Sequence, residues 1–542
     1  MRLTMAKAGF AGLTCLALSA GAYAQSASSC SGNSCNGNNN DYNNDYSYNS
    51  NRGQLLDHRT TLRLSAAALA GVLNASDSGR QLLQIAGTPA CDLEIVYFRY
   101  RTIGGANEPT TASGALMIPS GGRACSGPRP ALMYAHGTTT YRKYNLADLT
   151  QKDPGNGDGA SEGISVAAMY AAQGYIVVAS NYAGYAGSEL SYHPYLNAHQ
   201  QSADMIDSLR AARVALARAD LGKAARENGK LFITGYSQGG HVAMATHRAL
   251  QAAGINVTAA STGSGPYAMA ATGDALIAGE VDLGSTIFTT LVATSYQNAY
   301  GNIYRRPGDL FEASYARGIE DLLPSVTPID TLIGNGKLPA TALFSPYPPA
   351  PQFASLTPPA SPPLAPPELT PIFALGFGKG NLVRNSFRLG LLEDALVNPD
   401  GAFPYTTVAM APAASPVAPL RQAFKRNDLR NWIPRAPVQL CGGRFDPTVF
   451  FFNATVQQAY WQNAKVPAGL TSVLDVDAPV AGPADPYAPI KQGFALAKAT
   501  LAAQAVAAGA TDGGASAVIE AYHGSLVAPF CMVAARGFFG NF

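Results

Sequence analysis

The stretch that decides the fold is LFITGYSQGGHVAMATHRALQAAG at 231–254. An apolar run ends in Gly-Tyr-Ser-Gln-Gly-Gly, and a helical pattern follows at once. A buried strand, a tight turn and a helix in this order predict a strained turn that exposes the hydroxyl of Ser237. Gly235 and Gly239 lie two residues before and after Ser237, where small residues let the backbone bend and the helix approach. Ser237 is therefore the candidate nucleophile.

The pattern G-x-S-x-G occurs a second time, at 159–163 around Ser161. This copy follows the polar loop QKDPGNGDGA and has no strand before it. The required context of strand, turn and helix is therefore missing, and we interpret Ser161 as a helix N-cap.

Outward from Ser237, short and fully apolar runs alternate with helical stretches. Runs without polar alternation indicate strands that are buried on both faces of a sheet. Repeated alternation of strand and helix predicts an α/β fold, with a mostly parallel central sheet and helices on both faces. The predicted strands are 129–137, 175–180, 231–236, 255–263, 437–443 and 470–477, after extended runs at 93–102 and 112–119, and the clearest helices are 198–219 and 239–253.

Between Pro266 and about Arg430 the alternation stops, and eleven prolines crowd into 345–371. Proline at this density interrupts both strand ladders and helix interiors. We interpret 268–430 as a helical lid insertion, with 345–371 as an extended loop on it. The core is then divided into 54–267 and 431–542. A linker between two independent domains is the alternative, which we favour less because the α/β pattern resumes afterwards.

The N-terminus reads as an export signal. Residues 1–24 have a basic start, an apolar stretch and the small-residue ending Ala22-Tyr23-Ala24, which predicts cleavage before Gln25. Residues 25–53 are rich in Asn, Gly and Tyr and poor in aliphatic side chains, so we expect a disordered tail. We predict a secreted or periplasmic protein and no transmembrane segment, since no later stretch approaches the length needed to span a bilayer.

Charge and cysteine content narrow the class further. The chain has 37 Lys+Arg and 35 Asp+Glu, and removal of Arg2 and Lys7 with the signal leaves 35 of each, so nothing suggests a nucleic-acid partner. Six cysteines then remain, which in an exported chain predicts disulfides. Among the possible pairings we favour 30–35, 91–125 and 441–531. No Cys or His pair has zinc-like spacing, so we expect no metal and no cofactor.

A nucleophilic serine needs an imidazole base, and in this type of fold the base follows the serine and the acid in the chain. Only three histidines follow Ser237. His241 and His247 belong to the helix that Ser237 begins, which directs them away from the hydroxyl. His523, in the turn-like sequence AYHGSL, is therefore the candidate base.

The candidate acid is Asp446, which follows the strand 437–443 in a glycine-containing loop. Asp477 and Asp475 are its rivals.

For the oxyanion, the fold needs backbone donors from the residue after the nucleophile and from the loop after an earlier strand. These are Gln238 and, in His136-Gly137-Thr138-Thr139-Thr140, Thr138, with Thr139 as second choice. We expect His136 to support this loop rather than to act as base.

These segments together resemble a known family. GYSQGGH (235–241), YAHGTTT (134–140), the stretch 181–213, GGRFDPTV (442–449) and AYHGSL (521–526) are similar to the secretory lipases of the α/β-hydrolase superfamily and to related bacterial exported esterases. The likeness covers most of 91–267 and 437–535. It implies an exported carboxylic ester hydrolase with a helical lid after the sixth strand and the triad Ser237, Asp446 and His523. The Asn/Tyr tail, the Pro-rich run and the long spacer between Asp446 and His523 depart from the family pattern.

The sequence therefore predicts a secreted serine esterase or lipase that forms an acyl-enzyme on Ser237 and takes a small or lipid-like ester. Apolar stretches at 369–377 and 387–396 could line an acyl pocket or form the core of the insertion. An exported serine peptidase or amidase with the same triad is the alternative. A peptidase needs a charged anchor for a substrate terminus, and none stands out among Glu280, Asp309, Glu312, Glu320 and Arg305.

Overall fold

The alternating strands and helices of the sequence assemble into one large sheet in the computed structural model, which describes residues 51–218, 225–359, 365–400 and 412–542. The predicted signal peptide 1–24, the predicted 30–35 disulfide and all but the last three residues of the predicted tail 25–53 lie outside the described residues. So do residues 360–364 of the Pro-rich run.

Nine strands form the sheet within the described residues, in the order β1-β2-β3-β5-β4-β6-β7-β8-β9. Five of the eight neighbouring pairs are parallel, and the antiparallel pairs are confined to the side of β1, β2, β3 and β5. The predicted α/β fold with a mostly parallel sheet is confirmed. The strands are β1 Leu55–Leu64, β2 Asp92–Ile103, β3 Pro109–Ser120, β4 Gly127–Ala135, β5 Ile176–Ser180, β6 Ala225–Tyr236, β7 Ala259–Gly263, β8 Val438–Gly442 and β9 Thr471–Asp475.

The described α-helices flank this sheet or lie between β7 and β8. They are α1 Ala66–Asn74, α2 Asp77–Ala86, α3 Gly157–Met169, α4 Ala198–Arg218, α5 Gln238–Ala252, α6 Met269–Ile277, α7 Ser285–Tyr300, α8 Pro307–Leu310, α9 Ala313–Ala316, α10 Ile329–Gly334, α11 Thr370–Leu375, α12 Asn385–Val397, α13 Pro419–Asn427, α14 Phe452–Asn463, α15 Ala488–Ala507, α16 Ala515–Ala521 and α17 Ala528–Phe539. A π-helical turn, Tyr522–Val527, joins the last two.

Strand β1 was not predicted from the sequence. Its ten residues, LLDHRTTLRL, carry charged and polar side chains at alternate and adjacent positions, and none of them is fully buried. It pairs with β2 at the edge of the sheet, where one neighbour and partial burial suffice. Because β1 precedes the two extended runs, the helical region between β7 and β8 follows the seventh strand rather than the sixth.

Strands β4, β5, β6, β7 and β8 are buried on both faces along most of their length, as the unbroken apolar runs predicted. Their carboxyl ends point to the same edge of the sheet, because they run parallel. The loops that follow these ends carry Thr138, Ser237 and Asp446. Side chains on neighbouring loops at this edge can therefore meet.

Two disulfides fasten the described part of the chain. Cys91 is bonded to Cys125, and Cys441 at the end of β8 is bonded to Cys531 in α17. Both pairings agree with those favoured from the sequence. The second one ties the strand before Asp446 to the helix after His523.

The residues 515–539 form one helical segment that is long and apolar enough to cross a membrane by length and composition, with a mean hydropathy of 1.4 in its most apolar window. The expectation that no later stretch approaches spanning length was wrong on this point. Half of the most apolar window is buried inside the protein, where α17 packs against β6, β7 and β8. A helix of the protein core accounts for this pattern.

Candidate active site

Ser237 occupies the turn between β6 and α5. Its φ is +60° and its ψ is −127°, which is a strained conformation for a residue with a side chain. The Ser237 N–H donates to the carbonyl of Gly263 at the end of β7, over 2.8 Å. The turn is therefore held in place by the neighbouring strand.

Steric crowding explains the two glycines of the turn. A Cβ on Gly235 would lie 2.2 Å from the carbonyl oxygen of Gly239, and a Cβ on Gly239 would lie 2.0 Å from that of Ala135. Both distances are below any real carbon–oxygen contact. The chain thus needs hydrogen at these positions for α5 to begin directly against the ends of β4 and β6.

Ser237, His523 and Asp446 form a hydrogen-bonded line. The Oγ of Ser237 lies 2.9 Å from Nε2 of His523, and Nδ1 of His523 lies 2.7 Å from Oδ2 of Asp446. All three residues are buried, with exposed fractions of 5%, 7% and 0%. An imidazole between a hydroxyl and a carboxylate can accept the hydroxyl proton while the carboxylate holds the ring in one tautomer.

The carboxylate of Asp446 is oriented by its own loop. Its Oδ1 accepts hydrogen bonds from the backbone N–H groups of Thr448 and Val449, each over 3.0 Å. Its other oxygen, Oδ2, is thereby directed toward His523. This is the arrangement that an orienting acid requires.

The rival carboxylates bind other groups. Asp475 accepts from Nε of Arg444 over 2.6 Å, and Asp477 is bonded to Lys498 and to the hydroxyl of Tyr522, the latter over 2.7 Å. Asp477 therefore contacts the residue before His523 rather than the imidazole.

Three other histidines, His241, His247 and His136, are engaged elsewhere. Nε2 of His241 lies 3.0 Å from the carbonyl oxygen of Asn427, and His247 packs edge-on against Trp432. His136 stacks on Tyr182 at 4.1 Å between ring centres, and burial lowers its pKa to about 3. Each of these residues supports packing, as the sequence suggested for His136.

Ser161 is the fifth residue of α3, and Asn156 holds the N-cap position of this helix. The interpretation of Ser161 as an N-cap was therefore wrong. The helix starts earlier than the glycines of the motif suggested, since Gly157 and Gly159 are both accommodated in its first turn.

Thr138, the first predicted oxyanion donor, lies in the loop after β4 and is 4% exposed. Gln238, the second, is the first residue of α5, where backbone N–H groups have no acceptor within the helix. Both residues line the same cavity as Ser237. The loop and the helix start thus flank the serine hydroxyl.

Tyrosines from the segment after β5 hold this loop, a role that the sequence did not reveal. The hydroxyl of Tyr185 donates to the carbonyl of Thr139 over 2.8 Å, and that of Tyr182 donates to the carbonyl of His136 over 3.2 Å. On the other side the buried carboxylate of Glu162 accepts from the hydroxyl of Tyr134 over 2.7 Å. No local pattern marks such contacts, because they join residues that are far apart in the chain.

A cavity with an empty volume of about 1060 Å³, including its open mouth, lies beside Ser237. Thr448, Val449 and Phe450, from the loop of Asp446, form part of its lining. Its apolar walls come mainly from the residues between β7 and β8, among them Met269, Phe288, Val292, Leu310, Phe344 and Leu391. The site therefore combines a polar reacting end with an apolar chamber, as ligand pockets commonly do.

The two apolar stretches predicted for this chamber behave differently. Phe387 and Leu391, from 387–396, line the cavity, whereas no residue of 369–377 does. In the latter stretch Phe373 packs against Phe450, edge to face at 5.6 Å. The stretch 369–377 is thus core, and 387–396 is partly wall.

Asp282 is the one carboxylic acid among the described residues that line the cavity, and no Lys, Arg or His lines it there. Its Oδ1 accepts from the hydroxyl of Ser285 over 2.7 Å. Burial, opposed by this hydrogen bond and reinforced by the negative charge of Asp446, raises the pKa of Asp282 to about 7. Nothing in the local sequence around Asp282 marks it as a site residue.

No group of three or more His, Cys, Asp or Glu side chains that could hold a metal ion occurs among the described residues.

Comparisons with known proteins agree with this architecture. The rice cell wall degrading esterase LipA of Xanthomonas oryzae superposes with a TM-score of 0.61 in one single-residue mutant, at 25% identity over 90% of this chain and 99% of that one. A ligand-bound form of LipA gives 0.59 at 28% identity, over 82% and 94%. A Legionella pneumophila protein at 19% identity shares the fold, with a TM-score of 0.56 over 78% and 91%.

No protein-family model and no curated sequence matches the chain. The sheet order, the serine turn between β6 and α5 and these structural similarities identify the chain as a member of the α/β-hydrolase superfamily.

Proposed function

We propose that this protein hydrolyses carboxylic esters through an acyl-enzyme on Ser237. The observation that carries the proposal is the hydrogen-bonded line from Ser237 through His523 to Asp446, at the edge of a largely apolar cavity. The similarity to an enzyme described as an esterase, at 25% and 28% identity over most of both chains, supports ester rather than other substrates.

In the proposed reaction, Oγ of Ser237 attacks the ester carbonyl while Nε2 of His523 takes its proton. His523 then gives that proton to the leaving alcohol, and Asp446 stabilises the imidazolium through its hydrogen bond to Nδ1. Water attacks the acyl-serine in the second half, with His523 again as base. The acid is released and Ser237 regains its proton.

The negative oxygen of the tetrahedral intermediate would be bound by the backbone N–H groups of Thr138 and Gln238. Both residues flank Ser237 at the cavity, and Tyr185 and Glu162 fix the loop of Thr138. One such donor usually contributes a factor of about 100 to 1,000 in rate. The rigid support of this loop is what preorganised stabilisation needs.

The walls of the cavity favour an acyl chain of several carbons. Apart from Asp282, the ionisable lining within the described residues is limited to the phenol of Tyr195, so a hydrocarbon chain loses little by leaving water. We also propose export, with residues 1–24 removed. Two disulfides in the described chain support an oxidising compartment.

The test is a series of initial rates on p-nitrophenyl esters from acetate to decanoate, with wild type and Ser237→Ala. We expect the substitution to lower kcat/KM by at least about 1,000-fold, because the nucleophile is lost. Ser161→Ala, in the other G-x-S-x-G sequence, is the matched control and should retain wild-type rates. The N-terminal residue of protein recovered from medium or periplasm, expected to be Gln25, tests export.

Ester turnover that survives in Ser237→Ala would contradict the proposal. So would the absence of ester turnover together with Ser237-dependent cleavage of p-nitroanilide substrates, which is the result expected of the peptidase or amidase alternative.

A further inference from the structure

Asp282 lies in the loop between α6 and α7, at the wall of the cavity. The N–H of its neighbour Leu283 donates to the carbonyl of Pro447 over 2.9 Å, and Pro447 directly follows Asp446. The loop of Asp282 is therefore fastened to the loop of the triad carboxylate. Its carboxyl group lies close enough to Asp446 for the charge of one to act on the other.

Only one of the two carboxyl oxygens of Asp282 accepts a hydrogen bond from a described residue. Oδ1 accepts from Ser285, and no other described side chain donates to Asp282. The residue is partly exposed and lines the cavity, next to which a bound substrate would lie. The charge that acts on it from the described residues is that of Asp446, which repels a second negative charge.

A carboxyl group with one neutral partner in an apolar wall lowers the stability of the fold. Other buried carboxylates of this protein have more partners: Asp274 is paired with Arg421 and Asp428 with Arg430, and Glu162 accepts from the hydroxyls of Tyr134 and Tyr144. Asp282 has a single such partner, Ser285, among the described residues, and packing alone does not explain an acid here. A polar group that lowers the stability of the fold but lines a binding chamber indicates a ligand that completes its hydrogen bonds.

Resting on the ester hydrolysis proposed above, we propose that Asp282 is a specificity-determining residue that hydrogen-bonds to a hydroxyl group of the substrate. A hydroxyl can donate to the ionised carboxylate and can also accept from the protonated acid, so the contact forms on either side of the titration. The substrate class is thus an ester that carries a free hydroxyl within reach of the cavity. The hydroxyl can belong to a polyol alcohol or to a hydroxy acid.

The energetics favour such a substrate over its plain alkyl analogue. An alkyl chain beside Asp282 removes water from the carboxyl group without replacing the hydrogen bond, whereas a hydroxyl replaces it. Sites that hydrogen-bond a substrate hydroxyl reject the analogue that lacks it, because their own polar group is left unpaired.

The test measures kcat/KM for two matched pairs of esters. 2,3-Dihydroxypropyl butyrate against propyl butyrate probes a hydroxyl in the alcohol, and ethyl 6-hydroxyhexanoate against ethyl hexanoate probes one in the acyl group. In one of the pairs we expect wild type to prefer the hydroxyl ester by about 10-fold. The pair that shows the preference identifies which part of the substrate contacts Asp282.

Asp282→Leu should reduce that preference to about 2-fold or less, because leucine offers no hydrogen bond. Asp282→Asn keeps the shape of the side chain and a bond to Ser285, so it carries the test if the leucine variant does not fold. It should reduce the preference about 3-fold, since a hydrogen bond to a neutral amide is weaker than one to a charged group. Asp330→Asn, at the exposed start of α10, is the matched control and should leave the preference unchanged.

Equal preference of wild type for both members of each pair would overturn the inference. A preference that survives in both Asp282 variants would do the same. Failure of the proposed function is distinguishable, because wild type would then show no Ser237-dependent turnover of any of the four esters.

Discussion

At the scale of single residues, the reacting geometry depends on the missing side chain of Gly239. Alanine at this position would place its Cβ 2.0 Å from the carbonyl oxygen of Ala135, so α5 must move away from β4. That shift moves Ser237 and the amide of Gln238 relative to the loop of Thr138. We expect Gly239→Ala to lower kcat/KM by about 100-fold or more, since a displacement of about 1 Å can cost that much.

The control for Gly239→Ala is Gly390→Ala, a helical glycine of α12 whose added Cβ meets no atom within 4 Å. Alanine there should raise stability by up to about 1 kcal/mol and leave activity unchanged. Ester rates and melting temperatures of the two variants are the measurements. Full activity in Gly239→Ala would show that the turn tolerates a displaced helix.

Residue chemistry explains which parts of the site could be predicted from the sequence. Few residue types can act as nucleophile, base or acid. Their order in the chain and the strands next to them therefore left one serine, one histidine and a favoured aspartate as candidates. The structure brings these three residues together. Asp282 and Tyr185 were missed. They belong to the site because of where a loop lies in space, and their local sequence carries no sign of it.

At the scale of elements, the sequence predicted the buried strands well and their ends less well. β6 begins at Ala225, before the predicted apolar run at 231–236, and its polar first half continues the pairing with β4 as far as Gly127. The segment around His523 was expected to be a turn but is a π-helical turn within continuous helix. Backbone pairing and helix continuity at such places depend on neighbours rather than on apolar pattern.

Helix α5 buries a histidine that makes the stability of the protein depend on pH. Burial of His247, against Trp432, lowers its pKa to about 4. In the unfolded chain the same group titrates near about 6.5, so between these values the unfolded chain binds a proton that the folded chain does not. Stability that is present above about pH 6.5 is therefore lost as the pH falls toward about 4.

His247→Phe should remove this contribution. The difference in unfolding free energy between variant and wild type should shift in favour of the variant by about 2 kcal/mol between about pH 7 and about pH 5. Urea denaturation followed by circular dichroism at the two pH values measures it, and His247→Leu should show the same trend. A difference that is independent of pH would mean that His247 is not neutral in the fold under these conditions.

At the scale of the whole molecule, buried charges join parts of the region between β7 and β8 to one another. Arg430 bonds to Asp400 and Asp428, and all three side chains are fully buried. Asp428 in turn accepts from the backbone N–H of Ala270 at the start of α6, over 2.9 Å. Breaking one partner of such a network leaves a buried charge unpaired, so the network fixes the segments of this region relative to one another.

The reacting groups lie at the edge of the sheet, whereas most of the cavity wall comes from the region between β7 and β8. From this division we expect the sheet edge to carry the chemistry and the region between β7 and β8 to set the size of the substrate. Leu391 in α12 lines the cavity and is 5% exposed, whereas Leu396 in the same helix is 44% exposed. Leu391→Trp should fill part of the chamber, so that kcat/KM for p-nitrophenyl decanoate falls at least about 10-fold relative to kcat/KM for the acetate. The control, Leu396→Trp, should leave the ratio of these two kcat/KM values unchanged. Melting temperatures check folding, because overpacking costs about 1–3 kcal/mol. An equal loss of kcat/KM on acetate and decanoate in Leu391→Trp would contradict this division. It would mean that α12 acts on the reacting groups and not on the length of the acyl chain that the cavity holds.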